Sequence, residues 1–219
     1  MRLTVLTTSL LAALGVASVG TAAAQTLPVL RTEATSGGSI FILRNEAAQP
    51  VTAFLIELVN YPGSSYTLFQ DEAAADLIAP GAEKRIPVTN MTVGAVPDYV
   101  KLQAAIYADG STAGVPEKIT QLVERRKATL AAARELVARL EKAKSSATPK
   151  ASVAADLKQW ADSLQPAGKV RVSQATINQA AQRGVVSEAA SWLGTLSLEE
   201  TLVRARAAEK SLAGSKPAL

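Results

Sequence analysis

The chain has 219 residues, 48% of them hydrophobic but only 4% aromatic, with no Cys, no His and a formal net charge of +4. Length bounds it to one or two domains, with a core built from Ala, Val, Leu and Ile. Missing thiols and imidazoles exclude disulfides, thiol nucleophiles, Cys/His zinc sites and every triad with a His base. No lysine has a serine three residues before it, so a Ser-x-x-Lys dyad is excluded as well. What remains for an enzyme is carboxylate chemistry or an oxygen-ligated metal.

Residues 1–24 read as a signal peptide. Arg2 supplies the positive start, Leu3 to Val19 the apolar stretch, and Ala22-Ala23-Ala24 before Gln25 the cleavage site. Thr4, Thr7, Thr8 and Ser9 dilute the segment, and it is short for a membrane span of about 20 residues. With no Cys after the cleavage site, lipid attachment there is excluded. The expected location is therefore outside the cytoplasm: secreted, either periplasmic or extracellular.

Gln25 to Gly37 reads as a flexible leader closing in Ser36-Gly37. Residues 38–115 then alternate short apolar, β-branched runs with Pro/Gly turns. Strands are expected over Ser39–Arg44, Val51–Asn60, Ser65–Phe69, Lys84–Val88, Tyr99–Tyr107 and Thr112–Val115. In the second, Phe54, Ile56 and Leu58 share one face and Val51, Ala53, Leu55 and Val59 the other. Both faces are apolar, as in a central strand covered on both sides. Pro87 places its strand at a sheet edge. Asp109-Gly110 provides the positive-φ turn of a hairpin. Six or seven short strands in about eighty residues predict an antiparallel, immunoglobulin-like β-sandwich, without the Cys and Trp signature of true immunoglobulin domains.

Pro116 opens a helical region, 116–212. Its fixed φ suits the first turn of a helix, where its missing N–H costs nothing. Ile119, Leu122, Val123, Leu130, Ala133, Leu136, Val137 and Leu140 make an apolar stripe of helical period. One long amphipathic helix to Lys144 follows, roughly 43 Å at about 1.5 Å per residue. That exceeds the width of a small sandwich, so part of it must meet other helices or a second chain. Further helices are expected over Ser152–Leu164, Ser173–Arg183 (ended by Gly184), Ser187–Leu193 and, from a capping box at Ser197 and Glu200, to Leu212. Residues 213–219 read as a disordered tail. The fold class is thus α+β.

Charge divides along the same line. Residues 25–115 carry five basic and nine acidic side chains; residues 116–219 carry seventeen and ten. An acidic β half and a basic helical half are expected to attract each other.

Candidate sites each meet a plainer structural reading. Asp71, Glu72 and Asp76 could hold a hard cation, but lack EF-hand spacing and sit among alanines, as a solvated loop does. Asp109-Gly110-Ser111 reads as a hairpin turn. Glu57, among apolar strand residues, is either a carboxyl of raised pKa or a satisfied glutamate. Asp98 is placed to pair with Lys84 or Arg85. Arg126 falls near the apolar stripe and must reach the edge or bond a carboxylate of the β half. Arg125, Lys127, Arg134, Arg139, Lys142 and Lys144 give the long helix a basic side, read as a solvated face or a weak contact for anionic surfaces. Nucleic acid does not fit an exported chain lacking stacking aromatics in this region. Trp160 and Trp192 read as core anchors. No catalytic, cofactor-binding or metal-binding residue is assigned.

The strand pair, the Pro-Gly turn and Tyr107-Ala108-Asp109-Gly110-Ser111-Thr112-Ala113-Gly114 leading to Glu124-Arg125-Arg126 resemble a group of uncharacterised secreted bacterial proteins with a small immunoglobulin-like sandwich followed by helices. The matching segments are Ile40–Asn60, Ile78–Pro87 and Val100–Arg126. The resemblance implies fold and export, and no activity. The expected function is a non-catalytic binding or scaffold module of the bacterial envelope, contacting an envelope protein or polysaccharide. The alternatives are a carboxylate-dependent hydrolase of envelope polysaccharide and a homo-oligomer formed through the long helix.

Overall fold

A computed structural model of the chain describes residues 25–36, 38–59, 67–71, 77–89, 99–165 and 172–218. Seven strands come first: β1 (Val29–Thr35), β2 (Gly38–Arg44), β3 (Val51–Leu58), β4 (Thr67–Asp71), β5 (Glu83–Thr89), β6 (Val100–Tyr107) and β7 (Thr112–Gly114). Four helices follow: α1 (Pro116–Ser145), α2 (Lys150–Ser163), α3 (Gln174–Thr195) and α4 (Leu198–Ala213). The class is α+β, as expected.

The strands form two antiparallel sheets, ordered β1-β2-β5 and β4-β3-β6-β7. One core joins them, in which Phe41 and Leu43 of β2 and Ile86 and Val88 of β5 meet Phe54 and Ile56 of β3 and Ala105 and Tyr107 of β6. Pro87 lies on β5, an edge strand whose outer side needs no donor. β3 is central in its sheet and buried on both faces from Val51 to Ile56. A register shift between Val51 and Ala53 turns Val51 into the inter-sheet core, away from the face assigned to it by simple alternation. The other face, Ala53 and Leu55 with Ala104 and Ile106 of β6, meets Leu122 of α1.

Residues 25–37 hold no loose leader where the structure describes them. Val29–Thr35 pairs with β2 along its whole length, exposed and half-buried positions alternating. Ahead of it, Tyr107 donates its phenol to the Thr26 carbonyl at 2.5 Å. Burial of that phenol pushes its pKa up to about 12. Arg31 and Arg85, the Cα partners of Ile42 on either side, pair with Glu83 and Glu33 across β2. Their stems cover an isoleucine that would otherwise face water.

The hairpin from β6 to β7 runs into α1. Asp109 accepts from the Ser111 amide at 2.9 Å and from its hydroxyl at 2.6 Å. These bonds hold its carboxyl below the usual range, the Ser111 hydroxyl contributing most. The register of β3 against β6 skips Gln103, whose carbonyl accepts from Val115 at 2.8 Å, one residue before the helix. Gly114 crosses this bulge at φ 113°, where a Cβ would lie 2.2 Å from the Gln103 oxygen. Only glycine fits there.

α1 has 30 residues and divides its buried side between two partners. Its first half lies on β3 and β6; its second half, through Leu136, Val137 and Leu140, packs with α2, α3 and α4. The excess length over the sheets is thus taken up by helices of the same chain. α3 is continuous through Gly184, contrary to the expected break. Ala181 and Val186 on either side are buried, and their packing outweighs the roughly 1 kcal/mol helical cost of an exposed glycine. α4 begins with the expected capping box, in which Ser197 and Glu200 bond each other's amides. Within the described part of the expected tail, the Ser215 amide bonds the Leu212 carbonyl at the end of α4, and Lys216 and Pro217 lie against Gly110 of the β6–β7 turn.

Gly114→Ala is expected to lower stability by about 2 kcal/mol or more, from the positive φ and the overlap together; an unchanged urea midpoint contradicts this. Raising the pH should destabilise the fold through Tyr107. The folded phenol keeps its proton above the unfolded pKa, so its contribution is intact below about pH 10 and is lost toward pH 12. Spectroscopic titration should show a late-ionising tyrosine, and Tyr107→Phe should remove that step.

Candidate functional site

The sequence expectation for Arg126 resolves in favour of a carboxylate partner. Its side chain is wholly buried beneath α1. Nε and Nη2 donate to the two oxygens of Asp71 at 2.7 and 2.8 Å. Nη1 donates to the Lys216 carbonyl at 2.6 Å, and Nη2 also reaches Thr52 Oγ1 at 3.2 Å. Thr52 in turn donates to the Ile106 carbonyl. The planar fork of a guanidinium suits this bidentate geometry, and lysine could not reproduce it. Asp71 is placed by β4, where it pairs with Ala53, and belongs to no acidic loop. Glu72 and Asp76 lie outside the described residues, as does Asp98.

Glu57 is satisfied: Lys118, near the start of α1, donates to it at 2.6 Å in a part-buried setting. Asp109 is confined to its own turn. Glu57, Asp71 and Asp109 therefore occupy separate structural roles and do not converge. Among the described residues no cluster of three or more metal-ligating side chains occurs, and no helix is long and apolar enough to cross a membrane. Arg85, one of two bases considered for Asp98, pairs with Glu33 at 2.5 Å.

The basic side of α1 is largely paired. Lys127 bonds Glu124, Arg139 bonds Glu135 and Asp156, and Lys144 meets Glu199. Trp160 and Trp192 sit at the rim of the helical core, half-buried, with Arg139 and Arg204 over their rings at 4.3 and 5.8 Å. They anchor the core edge and are covered by cations.

Arg125 differs from its neighbours. Among the described residues its guanidinium has no hydrogen-bond acceptor. It lies over the Phe69 ring, 5.7 Å from the centroid. Burial lowers its pKa, and the Asp71 charge opposes that shift. It lines a groove of about 690 Å³ between the β4 edge and the first half of α3, with Glu57, Leu58, Thr67, Leu68 and Phe69 on one wall and Val172, Thr176, Ile177, Ala180 and Ala181 on the other. A second cavity, of about 190 Å³, lies between α1, α3 and α4, with Asp71 and Trp192 among its walls. The sequence flagged Arg125 only as part of a basic run; an arginine one position off the buried stripe and facing an edge strand was the available signal. Comparison with protein-family models, curated proteins and solved structures returns no match.

Removing either member of the buried pair should be costly. Asp71→Leu or Arg126→Met alone is expected to lower unfolding free energy by about 3–5 kcal/mol, since the other charge stays buried. The double variant should lose less than the two single losses combined. Additive losses, or single losses under about 1 kcal/mol, contradict the assigned coupling.

Proposed function

We propose that the protein is an exported, non-catalytic binding or scaffold module of the bacterial envelope, built as an immunoglobulin-like sandwich carrying a long amphipathic helix. The observation that carries this reading is the use of the candidate carboxylates. Glu57, Asp71 and Asp109 are held by Lys118, by Arg126 and by their own turn. Carboxylates committed to structural partners favour a module that presents surfaces over one that moves protons. A concave surface of about 690 Å³ lies beside Arg125.

Export is supported by residues 1–24, with their Arg2 start, apolar run and Ala22-Ala23-Ala24. The partner class, an envelope protein or polysaccharide, follows from that location. Self-association through α1 is the less favoured reading, because the apolar stripe of α1 is covered by β3, β6 and the other helices of the same chain.

The test is expression of the full sequence in a Gram-negative host, followed by fractionation and intact mass. The expected product is periplasmic and begins at Gln25. A cytoplasmic product of full mass overturns the export reading. Release of reducing sugar from peptidoglycan or capsular polysaccharide by the purified protein would overturn the non-catalytic one.

A further inference from the structure

We infer that the groove between the β4 edge and α3 binds an amphiphilic monocarboxylate, its anionic head on Arg125 and its apolar body along Leu58, Leu68, Phe69, Ile177 and Ala181. This deepens the binding-module reading by giving that module a ligand class.

The local charge balance comes first. Among the described residues, two adjacent guanidiniums, Arg125 and Arg126, stand near one carboxylate, Asp71. Both oxygens of Asp71 accept from Arg126. Glu57, an acid on the groove wall, is taken by Lys118. Among the described residues the Arg125 guanidinium therefore has no hydrogen-bonded acid, and its donors form a fork that matches a carboxylate. Desolvation already depresses Arg125, so an incoming anion would restore an interaction that burial has weakened.

Shape comes second. At about 690 Å³ the groove falls in the size range of small-ligand sites. Most of the lining is aliphatic or aromatic, with the Phe69 face holding Arg125 in position. A bare inorganic anion would leave that apolar wall unused, and an uncharged hydrocarbon would leave the guanidinium without an acceptor. A head of one negative charge on a short apolar chain uses both.

Calorimetric titration of the full mature chain with octanoate, octyltrimethylammonium and acetate tests this. Octanoate should bind with one-to-one stoichiometry, and the other two at least about tenfold more weakly, the difference a single charge-assisted contact supplies. Arg125→Gln should weaken octanoate by about tenfold while the chain stays folded, and a Trp at the exposed groove residue, Ala180→Trp, should block it by filling the groove. Equal binding of octanoate and octyltrimethylammonium, equal binding to wild type and Arg125→Gln, or no octanoate binding overturns the inference. These measurements use purified protein, so failure of export and failure of carboxylate binding are read separately.

Discussion

The structure depends on one buried ion pair. Arg126 belongs to α1, Asp71 to β4, Thr52 to β3 and Lys216 to the segment after α4, and the guanidinium bonds the other three. Taking a guanidinium out of water is expensive, and the cost is met only when its donors find acceptors in good geometry. That requirement is geometric before it is energetic. It fixes the rotation of α1 about its axis, so that Leu122 lies over Ala53, Leu55, Ala104 and Ile106. Alanines at two of those positions allow the helix backbone to come close. The ion pair and the small residues therefore specify the same seating from two sides.

The opposite charges of the two halves act at few points. Among the described residues, Glu57–Lys118 and Asp71–Arg126 join strand to helix. They lie eight residues apart on α1, roughly 12 Å along the axis, and reach two neighbouring strands. The remaining pairs stay within the β half or within the helices and are mostly exposed, where each contributes little. Net charge by half is thus a poor guide to the seam. The individual buried partners are the guide, and Arg125, beside Arg126 on α1, has no hydrogen-bonded acid among the described residues.

Much of the fold was legible in the residues, for physical reasons that differ by element. β3 and β6 were readable because their apolar residues alternate or run continuously, and α1 because Pro116 and a helical stripe agree. The capping box at Ser197 was readable because both members are local. β1 was missed because Val29–Thr35 mixes Arg, Thr and Glu with apolar residues: an edge strand needs only one half-covered face, so its pattern is weak. Gly184 misled because local preference was overruled by packing of Ala181 and Val186. Asp71 was placed in a loop because the acidic, Ala-rich residues after it hid the end of β4. Arg126 could be seen to need an acceptor, but which one depends on contacts 55 and 90 residues away. No local pattern carries that.

The Lys216 carbonyl on Arg126 has a consequence in time. A growing chain presents Arg126 long before it presents residue 216, ninety positions later. At ordinary synthesis rates that interval is roughly 5–18 s, much longer than most helix or hairpin formation. Throughout it, α1 can form and can find Asp71, yet Nη1 still lacks its native acceptor and must keep a water molecule. The seam between sheets and helices stays hydrated at one point until the chain beyond α4 arrives. Drying of that point, and with it the locking of the two halves, is a late event in the life of each molecule.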